Sequence, residues 1–178
     1  VGNPLQTRGA EHYTLHGQKG EGMNFLYVRN GLGLELWLSL DRAGDPSRVI
    51  FCGDNMGYFA PCGYVAPQYY DCNGAGFLKS FTAGFFTTCG LTAVGSPCAD
   101  EGEELPLHGT VSNTPAQLCG INETEDGLTI KLKISDEALF GRKLVMDRTY
   151  TVSYCENSFE VSDTVTNRGD ETSPYMIL

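Results

Sequence analysis

The chain has 178 residues, enough to bury a real core, and its 22 Asp and Glu against 12 Lys and Arg give a formal charge of −10 with three neutral His. That balance lacks the basic footprint that a nucleic acid or an anionic membrane requires, so the expected partner is a small neutral molecule, with no nucleic acid and no membrane. A phosphorylated ligand is disfavoured, and no run of about 20 apolar residues is present to span a bilayer.

Seven cysteines, Cys52, Cys62, Cys72, Cys89, Cys98, Cys119 and Cys155, never form a close Cys-x-x-Cys pair. Structural zinc sites draw on such pairs, so no metal is expected. The count is odd, and no apolar stretch follows an N-terminal basic cluster. The cysteines read as reduced thiols of a cytoplasmic protein, buried as small hydrophobes.

Val1 is not a start methionine, which reads as a chain beginning inside a longer frame or after processing. His12 and His16 stand among polar residues and read as surface positions. Residues 24–28 form a first clear strand signal, and residues 34–40 alternate with strand period. Asn30-Gly31 between them is a hairpin signal, since both residues tolerate positive φ. Gly31-Leu32-Gly33 lacks the later glycine and the helix of a phosphate loop and reads as a turn. Asp41, Arg42 and Asp45 follow the second strand, either as a turn held by a local ion pair or as part of a sugar site. Residues 47–51 are a further strand.

Between residues 53 and 118 Gly, Pro, Tyr, Phe and Cys are dense and alternation fades. So many aromatics with so little charge argue against disorder, so ordered irregular chain is expected to wrap one face of the sheets. Lys79 is a lone cation here, either snorkelling to solvent or binding a ligand's hydroxyls. Asp100-Glu101-Gly102-Glu103-Glu104 reads as a solvated loop. His108, in Pro106-Leu107-His108-Gly109, is either a satisfied structural histidine or a donor and acceptor for a sugar hydroxyl or ring oxygen.

Asp126-Gly127 then supplies a turn before residues 128–134, which alternate as clearly as any segment of the chain. Residues 144–152 and 158–166 follow, joined at Glu156-Asn157, and the three read as an antiparallel meander with one wet face. Ser173-Pro174 opens a last strand that is still apolar at Leu178. A domain unfinished at its C-terminal end is therefore expected, because a half-built apolar strand leaves an edge and a face exposed. The fold class is mostly β, an antiparallel β-sandwich, and residues 1–178 are read as one truncated domain.

Four elements, Asp41-Arg42-Ala43-Gly44-Asp45, Pro67-Gln68-Tyr69-Tyr70, Phe86-Thr87-Thr88-Cys89-Gly90-Leu91 and Leu107-His108-Gly109, occur in an order that resembles the galactose mutarotase-like (aldose 1-epimerase-like) family, in its largely uncharacterised bacterial branch. The resemblance covers essentially the whole chain and matches that family's N-terminal half. It implies a galactose mutarotase-like supersandwich with a carbohydrate pocket on its concave face. It also implies anomer interconversion: a carboxylate takes the anomeric hydroxyl proton, an imidazolium protonates the ring oxygen, and the opened sugar rotates and recloses.

On this resemblance no metal or organic cofactor is needed. His108 matches the first of the family's two pocket histidines, a catalytic and substrate-binding position near the ring oxygen. Lys79 stands where an arginine contacts sugar hydroxyls and is a substrate-binding candidate. The second histidine, the general acid, is expected beyond Leu178, and so is the catalytic glutamate. Glu103 and Glu104 are not promoted in its place, so this piece alone is expected to be inactive. A carbohydrate-binding module without chemistry, or a structural sandwich without a sugar site, are the other readings. The sequence sets no oligomeric state.

Overall fold

The computed structural model describes residues 2–100 and 102–178. Val1, and Glu101 of the acidic stretch, lie outside the described residues. Strands β1 (Gly9–Thr14), β2 (Asn24–Arg29), β3 (Leu34–Ser39), β4 (Asp45–Phe51) and β5 (Asp54–Asn55) form one antiparallel sheet in chain order. The middle of the chain holds only short pieces: β6 (Tyr58–Phe59), β7 (Ala83–Gly84), β8 (Gly90–Leu91), β9 (Cys98–Asp100), β10 (Glu103–Leu105) and three 3₁₀ turns. A second antiparallel sheet follows, again in chain order, from β11 (Gln117–Glu123), β12 (Gly127–Glu137), β13 (Lys143–Ser153) and β14 (Phe159–Asn167). The last strand, β15 (Met176–Ile177), pairs with β8.

The alternation read from the sequence decides which faces meet. Leu26, Val28, Leu36, Leu38 and Val49 of the first sheet bury themselves against Leu128, Ile130, Leu132, Ile134, Leu144, Met146 and Val152 of the second. This is one sandwich core, two inner faces supplying side chains at every second position. The opposite face of the first sheet is covered too. Met23 and Phe25 form a small second cluster with Ala66, joined by Trp37 and Tyr64, and the Phe25 and Tyr64 rings meet edge-on at 4.8 Å. Residues of the irregular segment thus do wrap a sheet face.

The two predicted turns touch each other. The Asn30 side-chain oxygen accepts from the Leu32 and Leu34 amides, which closes the β2–β3 loop. Its Nδ2 donates across the sandwich to the Glu156 carbonyl and to Asn157 Oδ1. One buried side chain therefore fixes the shape of one turn and its distance from the other.

Three expectations need correction. All seven cysteines are free, but only Cys89 is buried; Cys52, Cys72, Cys98, Cys119 and Cys155 are exposed because they fall in loops or on an edge strand rather than on inward positions. Glu103 and Glu104 stand in a small exposed hairpin, β9–β10, rather than in a plain loop, with Glu103 3.6 Å from Arg142. No local ion pair stabilises the turn after β3: Asp41 accepts from the Asn24 amide, Arg42 donates to Asn113 and Asp45 reaches Arg148. Among the described residues no helix is long and apolar enough to cross a membrane.

Candidate functional site

The four sequence elements singled out above are far apart in the chain and touch in space. Thr88 donates from its amide and from its hydroxyl to the Asp45 carboxylate, at 2.8 and 2.6 Å. The Gly90 amide donates to the His108 carbonyl at 2.9 Å, and Gly90 and Gly109 form a parallel bridge. The Tyr70 hydroxyl donates to the Gly109 carbonyl at 3.2 Å. Both glycines are required by this crossing. Each has positive φ, and an added Cβ would come 2.2 Å from the Met176 carbonyl oxygen at Gly90 and 2.5 Å from the Gly90 carbonyl oxygen at Gly109.

The crossing places His108 on the wall of a cleft of about 440 Å³. Phe77, Phe81, Phe85 and Phe86 supply most of the rest of the wall, with Tyr58, Leu78, Thr87 and Cys89 beside them. The His108 ring is half-buried and meets Phe77 edge-on at 5.4 Å. Its Nδ1 accepts from the Gly95 amide at 3.2 Å. An amide can only donate, so the neutral ring carries its proton on Nε2 and offers a donor there. The backbone pays for the arrangement: His108 and Ala83, both on the cleft wall, lie at positive φ, at 60 and 62°, as does the buried Leu91 next to Gly90, at 53°. Non-glycine residues hold that conformation only where neighbours over-determine it, and such strain gathers at functional sites.

A second lobe of about 300 Å³ shares Phe86, Thr87 and Leu178 with the first and adds Thr88, Arg148, Val161 and Asp163. Arg148 is buried, and all five of its N–H donors are used. Nε and Nη2 donate to the two Asp163 oxygens at 2.8 and 2.7 Å; Nη1 donates to Asp45 at 2.6 Å and to the Ala43 carbonyl at 3.2 Å; Nη2 also donates to the Thr88 hydroxyl at 2.7 Å. Burial works against the Arg148 charge, but the Asp163 bonds and the Asp45 charge more than offset it and hold the guanidinium protonated. Burial also pushes the Asp45 carboxyl up, and Arg148 with Thr88 pulls it back. The two carboxylates are therefore committed to one cation, which leaves neither as a free base.

Cys89 is no better placed as a nucleophile. Burial pushes its thiol up, the Asp45 charge adds to this, and Arg42 opposes it. Among the described residues no group of three or more His, Cys, Asp or Glu is disposed to hold a metal ion.

Of the two site residues named from the sequence, His108 lines the cleft and Lys79 is not among its lining residues. Lys79 ends the 3₁₀ turn Gly76–Lys79, two positions after Phe77, and its ammonium sits 2.8 Å from Asp71 with the side chain 72% exposed. Arg148 and Asp163 were not singled out, though the sequence carried their signal. Both occupy the apolar phase of alternating strands, Arg148 between Met146 and Tyr150 and Asp163 between Val161 and Val165, and they stand opposite each other in the β13–β14 register.

Two antiparallel meanders closed face to face, with an aromatic cleft at the crossing of the loop segments, define a galactose mutarotase-like sandwich. Two solved structures share this architecture. One is a "putative aldose 1-epimerase" from Klebsiella pneumoniae, at 27% identity and a TM-score of 0.85, covering 94% of this chain and 45% of that one. The other is a galactose 1-epimerase from Lactobacillus acidophilus, at 13% identity and a TM-score of 0.52, covering 83% of this chain and 45% of that one, a likeness of fold alone. The chain thus spans less than half the length of either. Comparison with curated proteins returns no match. The chain belongs to the family described as Domain of unknown function (DUF4432), whose model matches residues 20–178.

Proposed function

We propose that this chain supplies the sugar-holding part of an aldose 1-epimerase-type site, with His108 as the group that contacts the sugar near its ring oxygen. The observation that carries the reading is the fixed His108 ring, with Nδ1 tied to the Gly95 amide and Nε2–H left to donate beside an aromatic wall. Aromatic faces with a few placed polar groups suit a sugar, whose C–H faces need apolar cover and whose hydroxyls need partners. The Klebsiella protein's name, at 27% identity, supports the same reading.

The proposed reaction is general acid–base anomer exchange. A carboxylate removes the anomeric proton, the ring oxygen is protonated, the C1–O5 bond opens, and rotation followed by closure gives the other anomer. Asp45 and Asp163 are both bound to Arg148, so the proposal places the base and the general acid in the part of the relatives that this chain does not span. Residues 1–178 alone are then expected to bind sugar without interconverting it. A cytoplasmic setting, a small-molecule sugar as the only partner and no cofactor belong to the same proposal.

Saturation-transfer NMR of α and β anomers tests it, on a protein as long as the structural neighbours and on its His108→Ala variant. Exchange above the spontaneous rate that falls by about 10²-fold or more in the variant is the expected result. The committed carboxylates also favour a second reading, a carbohydrate-binding module without chemistry. Line broadening without exchange, in a protein as long as the structural neighbours, would select that one. No response to any sugar would reject both.

A further inference from the structure

We infer that the phenylalanine wall selects uncharged sugars whose exocyclic carbon is a methyl group, 6-deoxyhexoses, over the parent hexoses and their 6-phosphates. This rests on the reading of the cleft as a sugar site and names the class of sugar it takes. Phe77, Leu78, Phe81, Phe85 and Phe86 all line the cleft that His108 shares, Phe77 with little of its ring exposed. Phe85 is held edge-on to Phe159 at 5.9 Å and yet is 47% exposed, an aromatic presented rather than buried. A hydroxymethyl group laid on the phenylalanine rings gives up hydrogen bonds to water that those rings cannot replace, whereas a methyl group gains contact.

Charge points the same way. No cation lines the main lobe among the described residues. In the adjoining lobe, Arg148 has no donor left for a phosphate, because Asp163, Asp45, Thr88 and the Ala43 carbonyl occupy all five. Nearby on the chain, Lys79 is held by Asp71. A phosphate dianion entering the cleft would give up water without a counter-charge from the described residues that line it, in a chain of net charge −10.

Titration calorimetry with sets matched at every centre but C6 tests this: D-fucose, D-galactose and D-galactose 6-phosphate, then D-quinovose, D-glucose and D-glucose 6-phosphate. The deoxy sugar of at least one set is expected to bind about tenfold more tightly than its parent, and the phosphates not measurably. Phe85→Ala should abolish that preference, and Phe85→Leu should keep part of it. Because Phe85 is half exposed, neither variant needs the core to rearrange. Equal or tighter binding of the parent hexoses or the phosphates overturns the inference and leaves the sugar site standing. Absence of binding by every sugar overturns the site and the inference together.

Discussion

In the two meanders, the inward positions of β2, β3 and β12 are aliphatic almost without a break, and they hold one another by area removed from water. The segment from residue 56 to 116 is joined to those sheets differently. It gives Leu91 and Val111 to the same apolar core, but at the site it adds hydrogen bonds to buried charge: Thr88 to Asp45 and Arg148, and Asn113, which accepts from Arg42. Apolar packing is non-directional and tolerates small displacements of side chains. A buried ionic cluster has one satisfactory geometry and is costly in any other. The sandwich therefore supplies stability, while the cluster supplies position: it sets Thr88, and through Thr88 the strand Gly90–Leu91 that bonds to the His108 carbonyl.

The largest effect should come from breaking the cluster. Arg148→Ala leaves Asp45 buried without its counter-charge and is expected to cost about 3–5 kcal/mol in urea denaturation. Ile130→Ala, in the middle of the apolar core, should cost about 2–5 kcal/mol, a similar loss by another mechanism. Hydrogen exchange separates the two. The Thr88 and Gly90 amides should lose protection in Arg148→Ala beyond the global change and should follow the global change alone in Ile130→Ala. Selective loss in both variants would show that the sandwich positions the loop as strongly as the cluster does.

Thr88→Val sharpens the point with a smaller perturbation. Valine keeps the shape and removes the hydroxyl that donates to Asp45 and accepts from Arg148. A cost of about 1–3 kcal/mol is expected for leaving those buried groups short of a partner. Sugar affinity should fall further than the stability change predicts if Thr88 holds the crossing in place. Thr88→Ser, which restores the hydroxyl, should recover most of it.

Much of the sandwich was legible because its inner strands must alternate. Residues 128–134, 144–152 and 158–166 announced β12, β13 and β14, and Asn30-Gly31 and Glu156-Asn157 marked turns that proved to be in contact. β1 and β11 were missed for a physical reason. Both are sheet edges facing solvent, with scarcely an apolar position between Ala10 and Thr14 or between Cys119 and Glu123 to set a period. At the site, the Thr-Thr-Cys-Gly-Leu and Leu-His-Gly elements contain Thr87, Cys89 and His108, which line the cleft. That they meet was not legible, since contacts between residues 45, 70, 88 and 108 depend on the path of an irregular segment. Arg148 could have been found: a charge on the apolar phase of a strand is expensive unless a partner waits for it, and Asp163 repeats the anomaly one strand later.

Lys79 gives the mildest test. Its ammonium, followed by the Asn73 amide and side chain, holds the half-buried Asp71 carboxyl down at about 2. A carboxyl depressed below its unfolded value of roughly 3.9 adds stability that is complete above that value and is lost as pH falls through the folded one. In Lys79→Ala the Asp71 midpoint, followed by carboxyl ¹³C shifts, should rise toward the ordinary range while staying below it, because the Asn73 bonds remain. Unfolding at neutral pH should hardly change, since water and salt screen a pair whose ammonium is so exposed. The same titration at saturating sugar decides whether this lysine serves the ligand. If the ammonium leaves Asp71 for a sugar hydroxyl, the wild-type Asp71 midpoint must rise on binding. A midpoint that stays near 2 with sugar bound would keep Lys79 as the partner of Asp71 and leave His108 as the sugar contact of the two.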